Sequence, residues 1–185
     1  LERTPDLLEV AADPGADITV FAPTNDAFVD LLATLSDALG VELTGLDDVP
    51  DYVLRRVLEY HILNAGKLAA DLTNEEETLE GSDLNIDKSN GVVINETTNV
   101  IGDLANIEAA NGVVHVIDAV LVPPFIGNAL GSALQSLVFD AEGRFTTLLA
   151  AVESQEAVLD FLTRKDNVDG TLFAPTNAAF EALLA

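Results

Sequence analysis

The sequence predicts an α+β architecture organised as a tandem repeat, and three observations carry that prediction. A hydrophobic content of 49% across 185 residues is enough for a buried core. Phe21-Ala22-Pro23-Thr24-Asn25-Asp26-Ala27-Phe28 returns as Phe173-Ala174-Pro175-Thr176-Asn177-Ala178-Ala179-Phe180, at an offset of 152 and with seven of eight residues identical. A spacing of about 150 residues is the size of a globular domain, not of a solenoid repeat. Finally, helical periodicity gives way to a block of period-two segments and then returns. That order suits an α+β domain followed by a new start, rather than alternating strands and helices.

Taken in order, Leu7-Leu8-Glu9-Val10 is a short helical remnant. Asp17-Ile18-Thr19-Val20-Phe21-Ala22 reads as a strand that Pro23 ends by removing a donor. Thr24 then suits an N-cap, and Asp26 suits the positive end of the helix dipole. Phe28, Leu31, Leu32 and Leu35 recur at helical spacing until Gly40. A second helix opens at Val49-Pro50-Asp51, with Val53, Leu54, Val57, Leu58 and His61 on one side. Glu75-Glu76-Glu77 reads as a solvated loop. Leu84 and Ile86 alternate with polar residues, Val92-Val93-Ile94 follows a Ser-Asn-Gly turn, and 99–103 and 105–109 are short strand-like runs. Asn111-Gly112 is a hairpin signal before a long strand over 113–122, which Pro123-Pro124 closes. From Phe125 the pattern is helical through Leu162, and Asp166-Asn167-Val168-Asp169-Gly170 reads as a polar turn before the second copy of the motif.

Charge narrows the function. Thirty-two Asp+Glu against eight Lys+Arg give a net charge of −24. Such a field repels phosphate backbones and anionic headgroups, so nucleic acid is excluded as a partner. The acids are dispersed, which reads as a heavily solvated surface. No cofactor is expected, and calcium is the one ion the acid load leaves open, although no stretch matches a calcium loop. With no Cys and only His61 and His115, thiol chemistry and Cys- or His-built metal sites are excluded. Residues 119–139 carry no formal charge, but Pro123-Pro124, Gly127, Gly131 and the polar residues among them break the apolar face. A spanning helix needs about 20 predominantly apolar residues, so no membrane insertion by this segment is expected.

The motifs themselves carry a resemblance. Thr19-Val20-Phe21-Ala22-Pro23-Thr24-Asn25-Asp26-Ala27-Phe28 resembles the first signature box of the fasciclin-type (FAS1) domain. Asn111-Gly112-Val113-Val114-His115-Val116-Ile117-Asp118-Ala119-Val120-Leu121-Val122-Pro123-Pro124 resembles its second box, and Tyr60-His61 resembles its Tyr-His motif. The resemblance implies a β-sheet wedge or sandwich flanked by helices. Residues 1–124 would form one such domain with its lead-in helix largely missing, and residues 125–185 the N-terminal part of a second. The missing pieces read as fragment boundaries or as an exchange of helices between copies. Residues 125–185 hold too little to fold around, so they are expected to dock on a sheet belonging to something else: the strands of 84–122 or a neighbouring copy.

Candidate binding residues implied by the resemblance are Tyr60, His61, Thr24, Asn25 and Asp118. Against this, the helix face of His61 suits a hydrogen-bonded core histidine, and Thr24 and Asn25 suit backbone capping. Asn95-Glu96-Thr97 is a glycosylation sequon at Asn95. No nucleophile elbow or paired-carboxylate signature stands out, so no enzyme is expected. The function implied is an extracellular or cell-surface adhesion or matrix module acting by tandem multivalency. Its partner would be matrix, cell surface, polysaccharide or copies of itself. The alternatives are a structural subunit that assembles into a fibre or surface layer, and a polysaccharide or small-ligand binding domain.

Overall fold

A computed structural model describes residues 3–163 and 171–184. In chain order the elements are α1 (Pro5–Ala12), β1 (Ile18–Pro23), α2 (Asn25–Leu39), α3 (Asp51–Glu59), β2 (Ile62–Leu63), β3 (Glu75–Glu77), β4 (Asp83–Asp87), β5 (Val93–Ile94), β6 (Thr98–Asn99), β7 (Ile107–Ala109) and β8 (Gly112–Ile117). Five helices follow: α4 (Pro124–Ala129), α5 (Gln135–Val138), α6 (Thr146–Glu153), α7 (Glu156–Thr163) and α8 (Asn177–Leu184). No helix among the described residues is long and apolar enough to cross a membrane. The uncharged run at 119–139 divides into α4 and α5, with Gly131 at φ 73° between them.

The chain forms two compact units, one of residues 1–33 and 55–123, the other of residues 34–54 and 124–185. The first holds two four-stranded sheets, ordered β2-β1-β8-β7 and β3-β4-β5-β6. Phe21 and Ile117 from one sheet and Leu84, Ile86 and Ile94 from the other share a core with Tyr60, Leu63, Leu72 and Leu121. Strand β4 shows why: its alternation buries Leu84 and Ile86 and exposes Asp83, Asn85 and Asp87. Each large apolar side chain buried this way contributes about 1.5–3 kcal/mol. Strands β1 and β8 pair in parallel from Ile18↔Gly112 to Pro23↔Ile117. Gly112, at φ 148°, is required there, since a Cβ on it would stand 1.9 Å from the Ile18 carbonyl oxygen.

Several boundaries differ from the expectations. Strand β8 stops at Ile117 rather than 122, because Asp118 turns away and bonds its backbone N–H to the Asn99 carbonyl. Its hairpin turn is Ala110-Asn111, with Gly112 already paired to Ala109. Gly102–Leu104 is a 3₁₀ turn, not a strand. Glu75–Glu77 is a strand, not a solvated loop, and Glu76 is 5% exposed. His61 lies two residues beyond the end of α3.

The second unit contains no strand among its described residues. Its buried side chains include Leu35, Val49, Val53 and Leu54 from 34–54, together with Phe125, Ile126, Ala129, Leu134, Leu137, Val138, Leu149 and Val152. Within this unit, then, the apolar residues of 125–152 share a compact body with helices of the first repeat, where the sequence led us to expect a sheet. The strand-like run of the second motif copy is extended but unpaired over 171–176. The polar turn expected at 166–170 lies outside the described residues.

Candidate binding surface

Four of the motif residues are spent on architecture. Thr24 caps α2, its Oγ1 accepting from the Ala27 N–H at 3.2 Å. Asp118 accepts from the Asn99 N–H at 2.7 Å and from its Nδ2 at 2.8 Å, tying the end of β8 to β6. Tyr60, 1% exposed, donates its hydroxyl to the Asp83 carbonyl at 3.1 Å and accepts from Asn95 Nδ2 at 3.0 Å. Burial raises the pKa of this phenol, with the Asn95 bond opposing. His61, 5% exposed, donates from Nδ1 to the Val57 carbonyl at 2.6 Å and accepts on Nε2 from the Leu121 N–H at 2.9 Å. Both ring nitrogens are therefore committed in one tautomer, and burial pushes the imidazole down to about 4.

Asn95 sits at φ 48° with both ends of its carboxamide engaged: Oδ1 accepts from the Asn85 N–H at 2.9 Å, and Nδ2 reaches Tyr60. The nitrogen a glycan would take is thus the one that donates to a buried hydroxyl. Outside the predicted set, His115 is fully buried beside Phe21, with ring centroids 5.6 Å apart, and bonds the Asn106 N–H and the Lys67 carbonyl. Thr19 of the first box donates to the Ala65 carbonyl at 2.6 Å and accepts from the Lys67 N–H at 2.8 Å. Glu76 pairs with Lys67 at 2.6 Å and accepts from the backbone and hydroxyl of Thr73. Burial alone would raise its pKa; these bonds outweigh it and hold the carboxyl below the usual range. Among the described residues, no group of three His, Asp or Glu side chains is arranged to hold a metal ion.

Asn25 is the exception. It is exposed, and its carboxamide makes no hydrogen bond among the described residues. Its counterpart Asn177 is engaged: Oδ1 accepts from the Thr147 N–H at 3.0 Å, while Nδ2 donates to Thr146 Oγ1 at 2.9 Å and to the Gly143 carbonyl at 3.1 Å.

Sequence reasoning missed a second surface. The outward face of β3, β4 and β5 carries a shallow polar depression of about 580 Å³, lined by Asn74, Asn85, Ile86, Asp87, Val93 and Glu96. A neighbouring depression shares Asn74 and Asn85 and adds Thr73 and Glu75. The available signal was the polar half of the β4 alternation, which marks Asn85 and Asp87 as facing solvent.

Two sheets sharing one core, parallel pairing of the first and second boxes, and a buried Tyr-His pair define the class. The fasciclin domain family matches residues 1–123, and the chain belongs to that family. A solved FAS1 domain pair from the insect cell adhesion molecule fasciclin I is similar over 98% of this chain and 60% of its own length, at 19% identity and a TM-score of 0.43. No curated protein matches the chain.

Proposed function

We propose that this chain is an adhesion-type module of a tandem fasciclin protein, working outside the cell or at its surface and without catalysis. The fasciclin match over residues 1–123 carries this reading, and the repeated box at 173–180 supports tandem use. Weak contacts multiplied along one chain would supply the avidity. The polar depression on β3–β5 is the surface we assign to the partner, since the side-chain amides of Asn74 and Asn85 have no partner among the described residues. Paired donors and acceptors on exposed carboxamides suit the hydroxyls of a neutral polysaccharide. The −24 charge disfavours an anionic one.

Beads coated with the full chain at rising density should be retained on a neutral polysaccharide surface with a steep dependence on density. Asn85→Ala should abolish that retention. Equal retention on anionic polymers, or none at any density, overturns the assignment. A second reading, self-assembly into a fibre or layer, is favoured by exposed apolar side chains in the second unit: Phe173 is 86% exposed and Leu183 81%. Light scattering without added ligand, with and without salt and calcium, separates it from the first.

A further inference from the structure

The dipeptide Asn-Gly occurs twice in the chain, at Asn90-Gly91 between β4 and β5 and at Asn111-Gly112 between β7 and β8. Both serve hairpin turns, where this pair is favoured. The pair also has a chemistry of its own, because glycine has no Cβ to keep its backbone nitrogen away from the carboxamide carbon of the preceding Asn. The two copies meet opposite surroundings. Asn111 Nδ2 donates to the Ala11 carbonyl at 2.9 Å and to the Asp13 carbonyl at 3.0 Å, and the Asn111 backbone carbonyl accepts from the Ile18 N–H at 3.2 Å. Gly112 is paired to Ile18 on one side and to Ala109 on the other. Asn90 and Gly91, by contrast, are both exposed, and the Asn90 carboxamide has no hydrogen bond among the described residues. Gly91 lies at φ 89°, and a Cβ built on it would meet nothing within 4 Å. Ser89 bridges to Gly91 and bonds Asp87 through its N–H at 2.8 Å and its hydroxyl at 3.0 Å. The turn is thus held in shape while its carboxamide stays unbound.

We propose that Asn90 is a site of spontaneous deamidation in water, and that the fold shields the identical dipeptide at Asn111. Hydroxide takes the Gly91 amide proton, and the Gly91 nitrogen bonds to Asn90 Cγ. The Cγ–Nδ2 bond breaks, and Nδ2 takes a proton from water and leaves as ammonia. Water then adds to either carbonyl carbon of the cyclic imide and breaks its bond to the Gly91 nitrogen, leaving aspartate or isoaspartate. At Asn111 the same closure needs the two side-chain bonds and the ladder around Gly112 to open first, so it proceeds only through local unfolding. The product adds a carboxylate to a chain already at −24, and the isoaspartate form lengthens the backbone of the hairpin tip by one carbon. Asp87 and Val93, paired at the base of this tip, both line the polar depression on β3–β5, so the modification marks the age of that surface. The chemistry at Asn90 does not rest on polysaccharide binding.

The full chain, aged in mildly alkaline buffer and then digested, should yield peptides in which Asn90 has become aspartate and isoaspartate, resolved by mass spectrometry and chromatography. Native Asn111 should convert more slowly by about tenfold or more, since its bonds must break first. In denaturant the two sites should convert at similar rates. Gly91→Ala should slow the loss at position 90 in native and denatured chains alike. A native Asn90 that keeps its amide through this ageing overturns the proposal, whatever the denatured chain does. Native loss at Asn111 as fast as at Asn90 overturns the shielding.

Discussion

In the first copy of the octapeptide, Phe21 is fully buried, its strand is paired on both sides, and Thr24 caps the helix that follows. In the second, Phe173 is 86% exposed, residues 171–176 pair with nothing among the described residues, and no cap bond is made by the Thr176 side chain. Yet both copies start a helix at the same Asn, α2 at Asn25 and α8 at Asn177. The helix is encoded locally, in the turn chemistry of Pro-Thr-Asn and the apolar spacing that follows it. The strand is not. It exists where β2 and β8 supply hydrogen bonds and Leu84, Ile94 and Ile117 supply a surface, and the same residues without those neighbours remain an extended segment.

The sharpest way to break this contrast is to delete both aromatic rings. Phe21→Ala should cost about 3–5 kcal/mol, whereas Phe173→Ala should stay within about 0.5 kcal/mol, both read by denaturant unfolding. A comparable loss at 173 would show that this side chain is covered in solution. Acid comes next, because both histidines belong to the first unit and none to the second. His61 has a folded pKa of about 4, below its ordinary 6.5, so the unfolded chain binds the extra proton. The stability this supplies is therefore complete above pH 6.5 and is lost as pH falls toward 4, amounting to about 3 kcal/mol. Burial lowers His115 as well, so it acts in the same direction. Between pH 6.5 and 5, above the ordinary carboxylate range, calorimetry should show the melting of the first unit falling and that of the second unit nearly still. Equal shifts would separate the effect from the imidazoles.

Smaller changes refine the comparison. Tyr60→Phe leaves the Asp83 carbonyl and Asn95 Nδ2 without their shared hydroxyl and should cost about 1–3 kcal/mol by thermal unfolding. Thr24→Ala should cost about 1 kcal/mol, while Thr176→Ala should be near zero because it caps nothing. An equal cost at both threonines would mean that the cap forms in each copy.

What was legible in the sequence follows the same division. The helix after Pro23-Thr24, its end at Gly40 and the alternation of Leu84 and Ile86 were readable because each depends on residues within a few positions. The buried His61 was also foreseen, although it sits past the helix that was to carry it. Glu76 was not readable: a run of three acids looks solvated until Lys67, nine residues away, places a cation against the middle one. The end of β8 was hidden for a related reason, since only Asn99, 19 residues back, turns Asp118 out of the ladder. The docking of 125–152 was misjudged because helices from 34–54, read only as part of the first domain, were overlooked as a surface.

The parallel pairing of β1 with β8 also sets a clock on biosynthesis. Every paired residue in that ladder lies 94 positions from its partner. At a ribosome speed of about 5–20 residues per second, β1 waits roughly 5–20 s after its own emergence before its neighbour is made. During that interval Phe21 and the hydrogen-bonding edge of Thr19-Val20-Phe21 are uncovered, and pairing with a similar segment of another nascent chain is the competing reaction. Pairing between segments so far apart in sequence slows folding, so the nascent chain, more than the finished fold, is where this protein is most exposed to aggregation.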